Sequence, residues 1–311
     1  MRIAIYGTGG VGGYFGGRLA HAGEEVTFIA RGEHLRAIRE NGLIVESVKG
    51  DFTVHPASAT DRLTEVGPVD VILISVKAWQ VPEVASALGP LLAPHTFVVP
   101  LENGVEAADQ LIAALGKERV AGGLCKIISF IASPGRIKHA GAEPFVAFGE
   151  LDNRKSKRSE KLLNAFQKAG VMVKIPEDIL AAIWEKFLFI ASISGIGAVT
   201  RAPIGTVRSI PEVREMLQHA MREIYNVALA KGIHLQESVI DKTMGFVDQL
   251  PPEGTASMQR DIIQGKPSEL ESQNGAVVRF GKERNVPTPV HSFIYQSLLP
   301  AEWKARGKVN W

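Results

Sequence analysis

Residues 1–17 read MRIAIYGTGGVGGYFGG, a short apolar strand beginning at Arg2 that runs into Gly7-Thr8-Gly9-Gly10-Val11-Gly12 and then into a helix ending near Ala22. Gly7 permits a tight turn, Gly9 lets the backbone approach a pyrophosphate, and Gly12 lets the helix pack on the strand, with the helix N-terminus facing phosphate charge. The apolar run Val26-Thr27-Phe28-Ile29-Ala30 completes a strand-helix-strand unit. A glycine string alone is weak evidence; in this context it predicts a dinucleotide site. An NAD site usually has Asp or Glu at the end of the second strand, whereas an NADP site tends to have Arg. Arg31 stands there, and its guanidinium can pair with a 2′-phosphate in a fork geometry, so the expected cofactor is NADPH. The alternative is a solvated Arg31 with Glu33 serving the ribose.

The 311 residues are enough for two domains. At 22% charged and 45% hydrophobic residues the composition is that of a globular protein. The formal charge of +2 and the lack of a basic stripe argue against nucleic acid as a partner. The cluster Arg154-Lys155-Ser156-Lys157-Arg158 is flanked by Asp152 and Glu160 and reads as a solvated loop and helix start. One cysteine, Cys125, cannot form an intrachain disulfide, which suits a cytoplasmic location, and its apolar strand-like surroundings predict a packed thiol. The stretch Phe187 to Val199 is the longest helix-compatible apolar run and is shorter than the roughly 18 residues of a membrane span, so no membrane segment is expected. The start does not read as a signal peptide. The eight histidines show no metal-binding spacing, so no metal is expected.

Further buried-strand candidates are Val69 to Ile74, Thr96 to Val99 and Pro144 to Phe148, separated by helical patterns such as Val81 to Leu92 and Ala107 to Leu115. Continuous Val/Ile/Leu runs suit a parallel sheet covered on both faces. A helix from Ser159 to Ala169 and a strand from Val171 to Lys174 end this part near Pro176. Beyond it the pattern is helical: Asp178 to Ser194, Pro211 to Lys231, Leu235 to Gln249, Thr255 to Gly265, Ser268 to Glu283 and Pro289 to Leu299. The expected fold class is α/β, a Rossmann-type doubly wound, mostly parallel sheet domain over 1–176, followed by an all-helical C-terminal domain over 177–311. An exposed apolar helix face in the second domain would support a homodimer.

Ligands of open α/β sheets bind beyond the carboxyl ends of the strands. The third and fourth strand candidates run into Ser75-Val76-Lys77-Ala78-Trp79-Gln80 and Pro100-Leu101-Glu102-Asn103-Gly104-Val105, so Lys77 and Asn103 are candidate contacts to substrate or cofactor. A solvated loop lysine and a plain Asn-Gly turn are the alternatives. Hydride reduction of a carbonyl leaves an alkoxide that needs a positioned proton donor. Lys186 is the candidate: Ala182, Ile183, Phe189 and Ile190 surround it at helical spacing, a setting in which desolvation makes lysine a better acid. The alternative is a lysine that snorkels from a partly buried helix. A buried lysine calls for a carboxylate partner, with Glu269 and Glu271 both in view.

The ordered set Gly7 to Gly12, Val76-Lys77-Ala78-Trp79-Gln80, Asn103-Gly104, Trp184-Glu185-Lys186-Phe187, Ser257-Met258-Gln259-Arg260-Asp261 and Ser268-Glu269 through Asn274-Gly275 resembles the ketopantoate reductases (2-dehydropantoate 2-reductases) over most of the chain. The resemblance implies NADPH-dependent reduction of 2-dehydropantoate to pantoate, on the way to coenzyme A, in a cleft between a Rossmann and a helical domain. It implies Lys186 as general acid and Glu269 as holder of that lysine and of a substrate hydroxyl. Ser257 would bind the substrate carboxylate, Asn103 would orient substrate and lysine, and Lys77 and Arg31 would touch the cofactor. The pattern departs at three positions: asparagines expected four and eight residues after the lysine are Ile190 and Ser194, and another near 204 is Ile204. Ser194 is still expected among the substrate contacts. The apolar replacements favour a larger or less polar 2-oxo acid as the small-molecule partner.

Overall fold

The computed structural model describes residues 1–141 and 143–310. The chain divides into two compact units, residues 1–102 with 106–179, and residues 103–105 with the chain from Leu180 onward. The division falls three residues beyond the Pro176 boundary expected from composition, at the start of the first long helix.

The first unit is built on a five-stranded parallel sheet. Its strand order is Ser58–Thr60, Glu25–Ile29, Arg2–Tyr6, Val71–Ile74, Phe97–Pro100. The two inner strands Arg2–Tyr6 and Val71–Ile74 are neighbours, with Ile5 opposite both Phe28 and Leu73. The strand order therefore reverses beside the first strand, so the glycine loop leaves at the topological switch point. Every residue of Val71–Ile74 and of Phe97–Pro100 is buried, which is why those segments are apolar without alternation.

Two further sheets were not expected. A four-stranded one has the order Phe52–Val54, Leu43–Ser47, Arg136–His139, Ser129–Ser133. It covers the outer face of the helix Gly10–His21, which thereby lies between two sheets. Side chains at Gly12 and Gly16 would strike Ile5 and Phe28 of the parallel sheet, and at Gly13 and Gly17 they would crowd Ile137, Val45 and Phe52 of the other. Glycine in a helix is unfavourable by about 1 kcal/mol against alanine, and here close packing on both faces offsets that cost. The third sheet has the order Met172–Lys174, Phe145–Glu150, Ala121–Lys126. The run Pro144 to Phe148, expected in the parallel sheet, is thus in another sheet and antiparallel to Ala121–Lys126. Its continuous apolarity reports burial on both faces, which direction of pairing does not alter. Cys125 is buried there and its Sγ donates to the Leu101 carbonyl at 3.4 Å.

Arg158 departs from the solvated reading of its cluster. Its Nε and Nη2 donate to the two oxygens of Glu150 at 2.7 and 2.6 Å, and Glu150 is buried. Burial pushes the Glu150 carboxyl up, but the Arg158 fork and the Ser156 hydroxyl outweigh it and hold the group below its usual range.

The second unit is helical. Its central helix, Ile179–Thr200, has 22 residues, so the apolar stretch 187–199 belongs to a longer element than expected, one long and apolar enough by composition to cross a bilayer. Within the protein 61% of its apolar window is buried, as in a core helix. Around it are Ile204–Ser209, Pro211–Ala230, Val239–Gln249, Ser257–Ile263, Ala276–Arg284 and Pro289–Ala305. The expected continuous helix from Ser268 to Glu283 is instead a π-helical turn, Glu271–Gly275, leading into Ala276–Arg284.

Glu223 joins two of these helices: its oxygens accept the backbone N–H groups of Val290 at 2.7 Å and His291 at 3.0 Å, filling orphan donors at the start of Pro289–Ala305. His291 is sealed from solvent, and burial lowers its pKa from 6.5 to about 4. Between those values the unfolded chain binds a proton that the native imidazole refuses, so the stability present above pH 6.5 is lost as pH falls. Across that window the unfolding free energy should drop by up to about 1.4 kcal/mol per pH unit on account of this group. Urea unfolding of the wild type and of His291→Gln over that pH range checks it: the variant should lose this part of the slope.

Candidate active site

In the first unit the glycine loop is shaped for a dinucleotide. Gly7 has φ +97°, and a side chain there would meet the Ser75 carbonyl carbon and oxygen at 2.9 Å. Nothing lies within 4 Å of a Cβ placed on Gly9, which caps the helix Gly10–His21 without a side-chain bond. The open space above Gly9 and the uncapped N–H groups of Gly10, Val11 and Gly12 form a cradle that fits a pyrophosphate. Thr8 braces this loop, because its backbone N–H and its Oγ1 both donate to the Ile29 carbonyl, at 3.2 and 2.9 Å, binding the loop to the end of the second strand. Arg31 follows that strand at the N-cap of Gly32–Asn41 and is exposed, with no ion pair or hydrogen bond from its side chain to another described residue. Lys77 is half-buried after Val71–Ile74, with its Nζ 5.8 Å from the Trp79 ring centre.

His34, which the sequence did not single out, also belongs to this region. Its Nδ1 accepts the Gly135 N–H at 3.0 Å, and burial lowers its pKa, opposed by the Thr8 backbone. Two contacts far apart in sequence define it, so no local pattern could have found it.

In the second unit the structure gathers Asn103, Glu269 and Gln273. Asn103 Nδ2 donates to Glu269 Oε2 at 3.2 Å, and Gln273 Nε2 donates to the same oxygen at 3.3 Å. Glu269 is 4% exposed. The segment reaches this unit through Gly104, whose φ is +110° and whose Cβ would lie 3.2 Å from the Ser272 carbonyl. Gln273 was overlooked; its spacing of four from Glu269 was the available signal.

The same geometry separates the two carboxylates that spacing left open. Glu271 is exposed and engaged by Arg279 and by the Tyr295 hydroxyl, which donates at 2.6 Å. Burial and then the Glu271 carboxylate push the Tyr295 phenol up to about 12. Glu269 alone of the two meets Asn103.

Lys186 is half-buried, as are Ala182, Phe189 and Ile190 of its stripe, while Ile183 is buried. The helix face is less closed than an apolar stripe implies, and no ion pair or hydrogen bond joins Lys186 to Glu269 or to another described residue. Ser257 is half-buried at the first position of Ser257–Ile263. Ser194 is fully buried, and its Oγ has no hydrogen-bond partner among the described residues. Ile204 is buried in the helical core.

The model of the family described as ketopantoate reductase PanE/ApbA matches residues 3–153, and the model of its C-terminal part matches residues 178–302. An uncharacterized oxidoreductase, YkpB, of Bacillus subtilis is 30% identical over 298 residues, covering 96% of this chain and 98% of the relative. A 2-dehydropantoate 2-reductase of Pyrococcus abyssi is 30% identical over 308 residues, covering 99% and 100%. The crystal structure of a PanE/ApbA family ketopantoate reductase from Ralstonia eutropha JMP134 superposes with TM-score 0.90 at 31% identity, covering 98% of this chain and 100% of that one.

A Cβ on Gly12 would collide with the Gly7 carbonyl oxygen and reach the Ile5 side chain at 2.8 Å, so Gly12→Ala must push the loop off its seat. Titration of dinucleotide fluorescence should record at least about a tenfold loss of affinity, or 1.4 kcal/mol.

Proposed function

The chain belongs to the ketopantoate reductase family, whose members are NAD(P)-dependent oxidoreductases, and on that footing we propose that it reduces 2-dehydropantoate to pantoate with NADPH. The observation that carries this reading is the bond from Asn103 to Glu269, which joins residues 166 positions apart into one polar cluster on the unit that holds Lys186.

Bound NADPH would supply the hydride. The glycine cradle would hold its pyrophosphate against the start of Gly10–His21, and the exposed Arg31 would pair with the 2′-phosphate. Lys77 would contact the same cofactor. The work left to the helical unit is proton supply and orientation. Lys186 donates a proton from its ammonium to the carbonyl oxygen, so that the product leaves as an alcohol rather than an alkoxide. Glu269, its Oε2 steadied by two amides, would receive hydrogen bonds from the lysine and from a substrate hydroxyl once substrate is bound. Asn103 orients substrate and lysine, and the Ser257 hydroxyl binds the substrate carboxylate. The enzyme acts in the cytoplasm on a small-molecule 2-oxo acid.

A second reading is favoured by what surrounds Lys186. Ile190 lies one turn on, and Phe189 forms an edge-on pair with the exposed Phe246, ring centres 5.2 Å apart. Ser194 is buried and Ile204 packs in the core, so none of these positions offers an exposed amide to a polar substrate tail. A 2-oxo acid with an apolar side chain would suit this face, with the same chemistry.

Three measurements test the proposal. Lys186→Met should lower kcat by about a hundredfold or more, the scale of general acid catalysis, while NADPH affinity stays near wild type; an unchanged rate refutes the acid. Arg31→Ala should weaken NADPH far more than NADH, and equal losses contradict the 2′-phosphate contact. Across a panel of 2-oxo acids, a kcat/KM for 2-dehydropantoate about a hundredfold below that of an apolar analogue, near 2.7 kcal/mol, would favour the second reading.

A further inference from the structure

Lys186 and Glu269 stand on separate elements, and a rate that depends on both depends on the register between those elements. We propose that Asn274 is the positioning residue that sets this register, clamping the turn that follows Glu269 onto the helix that carries Lys186. The inference rests on the roles given to those two residues above.

Asn274 is fully buried, and its Nδ2 donates to the Ala191 carbonyl of the Lys186 helix at 3.2 Å. The same nitrogen lies 2.9 Å from His291 Nδ1. His291 Nε2 faces the Ala220 carbonyl at 3.0 Å and must carry the hydrogen, which leaves Nδ1 as an acceptor. Both hydrogens of the Asn274 amide are therefore used, and its orientation follows from its partners. One holds the Lys186 helix, and the other holds an imidazole that is fixed at Ala220 and whose own backbone N–H donates to Glu223.

The close approach depends on a missing side chain. A Cβ on Gly195 would come within 2.5 Å of Asn274 Nδ2 and 3.1 Å of its Cγ. It also depends on the π-helical turn: the Gly275 N–H donates to the Leu270 carbonyl at 2.9 Å, five residues back, while Gln273 N–H donates to the Glu269 carbonyl at 2.9 Å. Each residue of an ordinary α-helix turns the chain by about 100°, so removing the extra residue of the π turn would swing position 274 away from Ala191. Asn274 thus ties Ala191, five residues beyond Lys186, to a backbone that begins at Glu269, whose carboxylate Gln273 also touches. Displacements of about an ångström at reacting groups can lower rates a hundredfold.

The test is a double-mutant cycle on kcat with the full-length protein, using wild type, Asn274→Ala, Glu269→Gln and the pair. We expect Asn274→Ala alone to lower kcat by about tenfold or more with KM for NADPH unchanged. In the Glu269→Gln background the same change should add less than about threefold, because the partner it positions is already disabled. Equal losses in both backgrounds, or no loss from Asn274→Ala, overturn the positioning role and leave the reading of Glu269 standing. A Glu269→Gln variant at the wild-type rate overturns that reading and the positioning role together. If Asn274→Ala does not fold, Gly195→Ala takes its place in the cycle, because it displaces the same amide while retaining it.

Discussion

A carboxylate taken out of water has to find hydrogen-bond donors, and much of this protein's long-range order follows from that demand. Glu150 finds the guanidinium of Arg158 and the Ser156 hydroxyl. Glu223 finds two backbone N–H groups at a helix start. Glu302 accepts from the Ser268 N–H and hydroxyl and from Arg306 Nε, which holds the residue just before Glu269. Glu269 finds two side-chain amides, and one of them comes from the far side of the chain. Three of these arrangements join structural elements to one another. The fourth holds a buried acidic group between Asn103 and Gln273, in the polar cluster proposed as the site.

The first unit answers a different constraint, the thickness of a helix. The helix Gly10–His21 has to pass between two sheets while keeping its N-terminus open to phosphate, and small residues on both faces are what make that fit. The glycines that look like a ligand motif therefore divide into two groups. Gly7 and Gly9 shape the loop and its cradle, whereas Gly13, Gly16 and Gly17 serve packing alone. The two uses overlap at Gly12, which is why a motif of this kind is meaningful only when a strand precedes it and a helix follows.

The helical unit joins site and scaffold through exceptions to regular helix. A π turn, a glycine in the core helix and a buried imidazole meet at Asn274. Such features sit where an ordinary helix would misdirect a side chain, and π turns recur at functional sites for that reason. The family places the protein among NAD(P)-dependent oxidoreductases.

From the residues alone one could read the strand-loop-helix start, the change from alternating α/β pattern to helices near residue 176, and Lys77, Asn103, Lys186 and either Glu269 or Glu271 as the polar groups to watch. These are local signals, carried by turn chemistry, apolar runs and helical spacing. The second and third sheets, the pairing of Pro144 to Phe148 and the length of the core helix were decided by tertiary contacts, since apolarity records burial and leaves the partner unstated. The choice of Glu269 over Glu271 was likewise out of reach of sequence spacing. It depended on a turn at Gly104 bringing Asn103 across 166 residues, and the energy of that contact exists only once both segments are folded and shielded from water.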